Sequence, residues 1–526
     1  MEGYKAPQKD ALFVMNELLG FEKHYADLGF EDASPDMVEA IFSEAAKFSE
    51  NVLAPLNAVG DDEGCTWEDS VVTTPTGFKE AYQQYVEGGW PSMTHPAEFG
   101  GQELPYSLSS ALGEWLSGAN HSWAMYPGLS QGCMATLEAH GTPEQQKMFL
   151  HKLVAGTWTG TMCLTEPHCG SDLGMLKTKA VKNDDGSYNL TGTKIFISAG
   201  EHDMSENIVH IVIARLPDAP EGTKGISLFV VPKFNVSADG ENEDRNAVTC
   251  GSIEHKMGIK GSATCVINFD GAKGYLVGTE NRGLNCMFTF MNSARIGTGL
   301  EGLASSETAF QGALAYAKDR LQFRSMKGVQ NPDGPADPII VHPDVRRMLL
   351  TQKAFAEGNR ALAIYAMKLV DITLYSKDEA AKQVSEAKLA FLTPIVKAFL
   401  TETAQESTSY GMQVFGGHGF IKEWGMEQLA RDTRICTMYE GTTGIQAIDL
   451  LARKVVGSNG KLLEVFTQEV RDFCVSIRDK GQFNAWSNAI EVHLDEWKQI
   501  TVDITKRAAK NPDELGAASV DYLMYS

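Results

Sequence analysis

The chain lacks the marks of several large protein classes. None of its apolar runs approaches the roughly 18 residues that a bilayer-spanning helix needs, so membrane insertion is not expected. No CxxC pair occurs, and the nine cysteines are odd in number and without paired spacing. That reads as free thiols in a reducing compartment, with no disulfide framework and no structural zinc site or other metal. There is no short-period repeat and no low-complexity tract. Positive charge is scarce, with 46 Lys+Arg against 68 Asp+Glu and a formal charge of −22. A surface that grips nucleic acid or anionic lipid is therefore not expected, although a local basic pocket for a small phosphate is compatible with it. Residues 1–20 carry acids early and lack an apolar stretch ending in a small-residue cleavage site. They fit neither a secretory signal nor an Arg-rich transit peptide, and the expected compartment is the cytoplasm.

What is present is a chain of 526 residues, 43% hydrophobic and 22% charged, enough for three or four domains with a large core and unlike a disordered chain or simple coiled coil. From Pro35 to about Gly156 the pattern is helical, with Met37, Ile41, Ala45 and Phe48 spaced as one face. Around Thr159 it changes to period-two runs: 177–182, 188–197, 208–214, 226–231 and 266–269, with Asp184-Asp185-Gly186 as the turn between the first two. This block, to about Gly283, predicts a small antiparallel sheet domain. Helical periodicity then resumes near Met287. Leu362, Tyr365, Ala366 and Leu369 make a bundle stripe, and the Pro/Gly/Asp-rich loop 327–338 separates two long helices. The last residues, 517–524, stop within an apolar pattern, as expected of a truncated chain or of a tail packed onto something else.

Four segments could carry chemistry. Met162-Cys163-Leu164-Thr165-Glu166-Pro167-His168-Cys169-Gly170-Ser171 offers hydroxyls beside open backbone, suited to a polar ring or a phosphate. A strand running into a polar turn explains it as well. In Lys194-Ile195-Phe196-Ile197-Ser198, an aromatic and a hydroxyl two residues apart fall on one strand face. Gln413-Val414-Phe415-Gly416-Gly417-His418-Gly419 leaves bare N–H groups that can cradle phosphate, or forms a tight helix connection. In Tyr439-Glu440-Gly441-Thr442-Thr443-Gly444, a carboxylate sits between apolar residues and a turn. Buried there, its proton affinity would rise toward the range useful for taking a proton from carbon; otherwise it is a capping or surface acid. Arg431 and Asp432 read as a structural ion pair.

In this order, on a helix–sheet–helix frame, these segments resemble the acyl-CoA dehydrogenase family from about Pro35 to Arg453. The resemblance implies a mostly α fold with a central β domain: an N-terminal helical domain (35–157), a β domain (158–283) and a C-terminal four-helix bundle (284–453), with extensions at 1–34 and 454–526. It implies FAD held between the domains. By motif, Met162, Leu164, Thr165, Gly170 and Ser171 resemble the strand and turn beside the flavin ring, with Ser171 also near the CoA. Phe196 and Ser198 stand where the family usually has Trp and Thr. Arg320 and Phe323 resemble the Arg-x-x-Phe that meets the FAD pyrophosphate and adenine, often across a subunit boundary. Gln413, Phe415, Gly416 and Gly417 resemble the loop at the other FAD end, and Thr442 the phosphate-binding Thr, while Gly444 replaces a common Glu or Gln. Arg295, Tyr439 and Gly441 resemble substrate-side residues. Glu440 aligns with the catalytic base.

The resemblance implies α,β-dehydrogenation of an acyl-CoA thioester to the trans-2-enoyl-CoA, with electrons passed to an electron-transferring flavoprotein. The extra length at both ends, with segments 340–344 and 442–450, resembles a longer bacterial branch that acts on 3-methylthiopropanoyl-CoA in dimethylsulfoniopropionate breakdown, alongside medium- and long-chain enzymes of β-oxidation. A homodimer is expected in that branch. An acyl-CoA oxidase and a DNA-associated flavoprotein of the same fold are the alternatives. Trp123, Met125 and Met291 are candidates for the channel floor.

Overall fold

The computed structural model describes residues 3–526; of the expected N-terminal extension, Met1 and Glu2 lie outside the described residues. Helices α1 (Gln8–Leu12), α2 (Phe21–Leu28), α3 (Pro35–Phe48), α4 (Ala54–Glu63), α5 (Phe78–Glu87), α6 (Tyr106–His140) and α7 (Pro143–Val154) precede the main sheet. A hairpin of β1 (Thr66–Glu68) and β2 (Val71–Thr73) interrupts them. The strands that follow are β3 (Trp158–Cys163), β4 (Lys179–Lys182), β5 (Tyr188–Ser198), β6 (Asn207–Arg215), β7 (Ile226–Pro232), β8 (Phe234–Val236), β9 (Asn242–Arg245), β10 (Val248–Ile253) and β11 (Thr264–Val277). The chain then returns to helix: α8 (Gly283–Asp319), α9 (Pro343–Tyr375), α10 (Glu379–Phe415), α11 (Met426–Thr433), α12 (Thr443–Ile448), α13 (Lys461–Ile477), α14 (Asn484–Ala508) and α15 (Asp513–Tyr525). No helix among the described residues is long and apolar enough to cross a membrane, and all nine cysteines are free thiols.

Helix α3 starts where Ser34 accepts the Met37 N–H and Pro35 occupies the first turn. Its buried face is Val38, Phe42, Ala45 and Ala46, whereas Met37 is exposed. The expected stripe is thus one residue out of register at its start, because Phe42 fills the gap against Trp115. In the sheet, the Asp184–Gly186 turn joins β4 to β5, with Lys182 opposite Tyr188 and Gly186 at φ 84°. The expectation of a purely antiparallel sheet is corrected: β3 runs parallel to β6, Trp158 opposite Asn207 through Cys163 opposite Val212. Both strands are buried almost throughout on both faces, so no alternation of buried and exposed positions marks them out.

Helices α8, α9 and α10 form the bundle, completed by α12 and the π-helical turn Asp449–Val456 that follows it. The C-terminal helices pack on this bundle. Trp497, Tyr522 and Leu523 are buried with Phe391, Leu450 and Leu451, each worth about 1.5–3 kcal/mol when fully covered. At the other end, α1 and α2 lie against the N-terminal helices and α9, where His24 meets Asp371 at 3.1 Å.

Helix α6 is broken at Asn120, whose φ of −159° and ψ of 91° leave the helical region. The Asn120 carboxamide oxygen accepts the Trp123 N–H at 3.0 Å, so the same residue ends one helix and caps the next. That break turns His121 toward the bundle.

Candidate active site

Glu440 is held by a loop between two short helices. Its φ is +56° and that of Gly441 is +95°. A left-handed backbone at a non-glycine residue costs about 1–2 kcal/mol, so the surroundings must impose it. Two contacts do so. The buried Gln446 side chain donates to the Glu440 carbonyl at 2.9 Å, and Thr442 caps α12 by accepting the Ile445 N–H at 3.3 Å. Gly441 is required here, because a Cβ would stand 2.6 Å from the Gln446 amide nitrogen. The Glu440 N–H makes no backbone hydrogen bond among the described residues.

Burial pushes the Glu440 carboxyl up to about 7; the like charge of Glu301 adds to the rise, and Arg295 and Lys397 oppose it. Arg295 is buried on α8, 3.9 Å from Asp449. Lys397, on α10, is fully buried within the run Leu392–Leu400, and burial lowers its ammonium to about 8. Tyr439 donates its hydroxyl to Glu301; His121 lies 3.6 Å from the same carboxylate, and Cys436 3.8 Å from it. Four buried polar atoms of this cluster have no hydrogen-bond partner among the described residues: Arg295 Nε, Lys397 Nζ, His121 Nδ1 and Gln446 Oε1. Unpaired polar atoms this close together mark a site that keeps capacity for a polar ligand.

The flavin-side segments meet in the sheet. The Ile195 N–H donates to the Thr165 carbonyl at 2.9 Å, and Lys194 reaches the Leu164 carbonyl at 3.0 Å. Lys194, fully buried, pairs with Glu166 at 2.8 Å; Glu166 also accepts the Lys177 and Thr178 N–H groups, and burial notwithstanding its carboxyl is held down to about 2. This pair ties the turn bearing Gly170 and Ser171 to β5. The plain strand-face expectation for Phe196 and Ser198 needs correction. Phe196 sits at φ +59°, in a bulge where Lys194 faces Ile267 and Ile197 faces Cys265. The bulge leaves its ring 59% exposed, with Ser198 half-buried and Met162, Leu164 and Thr165 half-buried nearby in sequence.

A third group forms at the end of α8. The Phe415 ring is buried and stacked on Tyr316 at 4.2 Å, one turn before Arg320, and Gln413, Gly416 and Gly417 are exposed. Gly416 has a φ of +59°, and neither it nor Gly417 has an atom within 4 Å of a built Cβ. Phe323, at φ +60°, is 81% exposed. An exposed ring edge, hydroxyls and open glycine backbone fit a planar flavin and its phosphates. Among the described residues no hydrogen bond joins the three groups to one another.

Some expectations are redirected. Arg431 pairs with Asp61 and Glu427, both at 2.6 Å, while the neighbouring Asp432 accepts the Ile259 N–H. Of the channel-floor candidates, Met125 lies 3.7 Å from the Tyr439 hydroxyl, but Trp123 is core, donating to the Phe78 carbonyl and packed on Tyr85. Met291 packs beside the core of α7 and β3. Glu301, Lys397, His121 and Gln446 were not singled out from sequence. A lone charge inside each of the apolar stretches 296–304 and 392–400 was the available signal for the first two.

The site's likeness to known proteins agrees with this arrangement. Residues 36–157, 161–272 and 281–455 match the N-terminal, middle and C-terminal domains described for acyl-CoA dehydrogenase. The chain is 46% identical to the 3-methylmercaptopropionyl-CoA dehydrogenase of Ruegeria pomeroyi, over 99% of this chain and 88% of that protein. It is 36% identical to the broad-specificity linear acyl-CoA dehydrogenase FadE5 of Mycobacterium tuberculosis, over 92% of this chain and 80% of the relative. The structure of Caenorhabditis elegans ACDH-11 in complex with C11-CoA superposes with a TM-score of 0.81 at 20% identity, covering 99% of this chain and 85% of that one, and so shares its fold. The chain belongs to the acyl-CoA dehydrogenase family and is a flavin-dependent oxidoreductase acting on acyl-CoA thioesters.

Proposed function

We propose that Glu440 is the base that removes the α-proton of 3-methylthiopropanoyl-CoA, giving the trans-2-enoyl thioester. The observation that carries this reading is a half-buried carboxyl on a left-handed loop whose proton affinity is raised to near neutrality from its ordinary 4.5. An α-proton beside a thioester is a very weak acid, and a base poised near the working pH takes it most effectively, a contribution of about 100- to 10,000-fold. The unpaired Glu440 N–H is the chain's donor for the thioester oxygen. One such donor is worth about 100- to 1,000-fold where negative charge develops. Arg295 and Lys397 limit how far the acid's affinity rises, so that it still ionises at neutral pH. The bound flavin supplies the acceptor for the hydride that leaves the β-carbon.

The flavin is FAD, a group long enough to need ring-side residues and distant phosphate contacts. Met162, Leu164, Thr165, Gly170, Ser171, Phe196 and Ser198 hold its ring; Arg320, Phe323, Gln413, Phe415, Gly416, Gly417 and Thr442 hold the rest. Ser171, Arg295, Tyr439 and Gly441 flank the substrate. The exposed Phe323 ring and the 83% exposed Phe420 support a homodimer in which this end is covered by the second subunit. Electrons leave to an electron-transferring flavoprotein. The sulfur-containing substrate rests on the likeness to the Ruegeria protein over nearly the whole chain.

Anaerobic bleaching of the bound flavin by a thioester panel tests the reading. The expected result is fastest bleaching with the methylthio thioester. Faster bleaching by butanoyl- through octanoyl-CoA would overturn the substrate, stoichiometric hydrogen peroxide in air would replace the dehydrogenase with an oxidase, and colourless protein would remove the flavin.

A further inference from the structure

Beneath Glu440 lies a second carboxylate that no step of the reaction consumes. Glu301 projects from α8 two turns after Arg295, in the stretch Thr298-Gly299-Leu300-Glu301-Gly302. The glycines bring α10 close: a Cβ on Gly302 would stand 2.7 Å from the Leu400 carbonyl, and one on Gly299 3.0 Å from that of Val396. A carboxylate wedged between such tightly packed helices is expensive unless it is satisfied. Here it accepts the hydroxyl of Tyr439, the residue covalently next to the base, and the same oxygen has His121 at 3.6 Å, itself 3.4 Å from the Tyr439 hydroxyl.

We infer that Glu301 is a positioning residue for the dehydrogenation: through its hydrogen bond with Tyr439 it anchors the loop that holds Glu440 and brings a second carboxylate to that base. The inference rests on the assignment of Glu440 as the base. From α6, His121 faces Glu301, and Asp432 lies within electrostatic range of His121. From α10, Lys397 and Glu402 face the cluster, Glu402 accepting the Thr443 hydroxyl. Arg295 faces Glu440 from α8 itself, with Asp449 and Arg453 behind it, and Cys436 and Tyr439 close the loop side. Of these, Glu301 is the anion that raises the affinity of Glu440 for a proton, and Arg295 and Lys397 are the cations that lower it. The two lysine and glutamate neighbours sit on different helices and act with opposite sign, which gives the inference a signature that a merely structural role does not have.

The test uses the purified flavin-loaded enzyme and acetyl-CoA, which has no β-carbon and so cannot be dehydrogenated. Exchange of its α-hydrogens with D2O, followed by NMR as a function of pH, reports the base alone. Glu301→Gln keeps the shape and removes the charge; its acid limb should move to lower pH, by about one unit. Lys397→Met should move the limb to higher pH, and Glu301→Asp should stay close to wild type. Unchanged flavin absorbance and thermal midpoint confirm that each variant is folded. If wild type exchanges and Glu301→Gln follows the same pH curve, the inference fails. If wild type does not exchange, or Glu440→Gln exchanges as fast, the assignment of the base fails instead.

Discussion

A base kept near neutrality should cost the fold stability, and replacing it should return that stability in a pH-dependent way. The Glu440 carboxyl rises from an ordinary 4.5 to about 7. Below about pH 4.5 the acid is protonated both folded and unfolded, and the contribution of the raised affinity is fully present. As pH rises toward 7 the unfolded chain releases the proton first. The advantage of the folded state then shrinks, and above 7 the fold carries the whole penalty. At about 1.4 kcal/mol per pH unit the ceiling is about 3 kcal/mol, and partial solvent access brings the expected figure to about 1–2 kcal/mol. Glutamine is uncharged in both states and is free of this loss. Glu440→Gln should therefore match wild type in urea midpoint at pH 4.5–5 and exceed it increasingly up to pH 8, while flavin is retained and bleaching by substrate falls by at least 100-fold. Urea titrations of both proteins at four pH values measure this. Curves that stay parallel across the range would refute the account of a desolvated base, and a variant that still bleaches would refute the base itself.

Gly441→Ala should lose most activity while keeping flavin, because its Cβ meets Gln446 and breaks the bond that fixes the Glu440 carbonyl; the stability cost is about 1–3 kcal/mol, read by thermal melt. Lys194→Met leaves Glu166 charged and buried, and should lower stability by about 3–5 kcal/mol at pH 7 and weaken flavin retention together. The Glu166 carboxyl is held down to about 2, so the wild-type pair contributes in full above the ordinary carboxylate range and is lost as pH falls toward 2. The difference between wild type and Lys194→Met should accordingly narrow in acid, which circular dichroism across pH 2–7 would follow.

The element order was legible because each block has its own period, and the two long bundle helices around loop 327–338 stand as the spacing predicts. What failed to show is physically specific. The parallel pairing of β3 with β6 leaves no trace in strands buried on both faces. The left-handed turn at Phe196 belongs to a residue that rarely adopts it, and it exists only because β11 opposes β5 with a residue fewer. Arg431 reaches across the chain to Asp61 in preference to its neighbour, since residues adjacent in a helix point apart.

The proposed base and its surroundings differ in the same way. Tyr439-Glu440-Gly441-Thr442 is a local feature: a left-handed loop needs its glycine and its capping threonine in sequence, so the acid could be found by motif. What sets that acid at about 7 is burial first, then Glu301 on α8 raising it and Arg295 on α8 and Lys397 on α10 opposing the rise, groups that no spacing rule joins to the loop. Two of those groups nonetheless left a mark. Lys397 and Glu301 are solitary charges in helical stretches otherwise made of apolar and small residues, where burying an unneeded charge would be selected against by its desolvation cost. A charge that a buried helix face retains is one that acts on another charge. In this chain the two lie within electrostatic reach of each other, and both reach Cys436 and the carboxyl of Glu440.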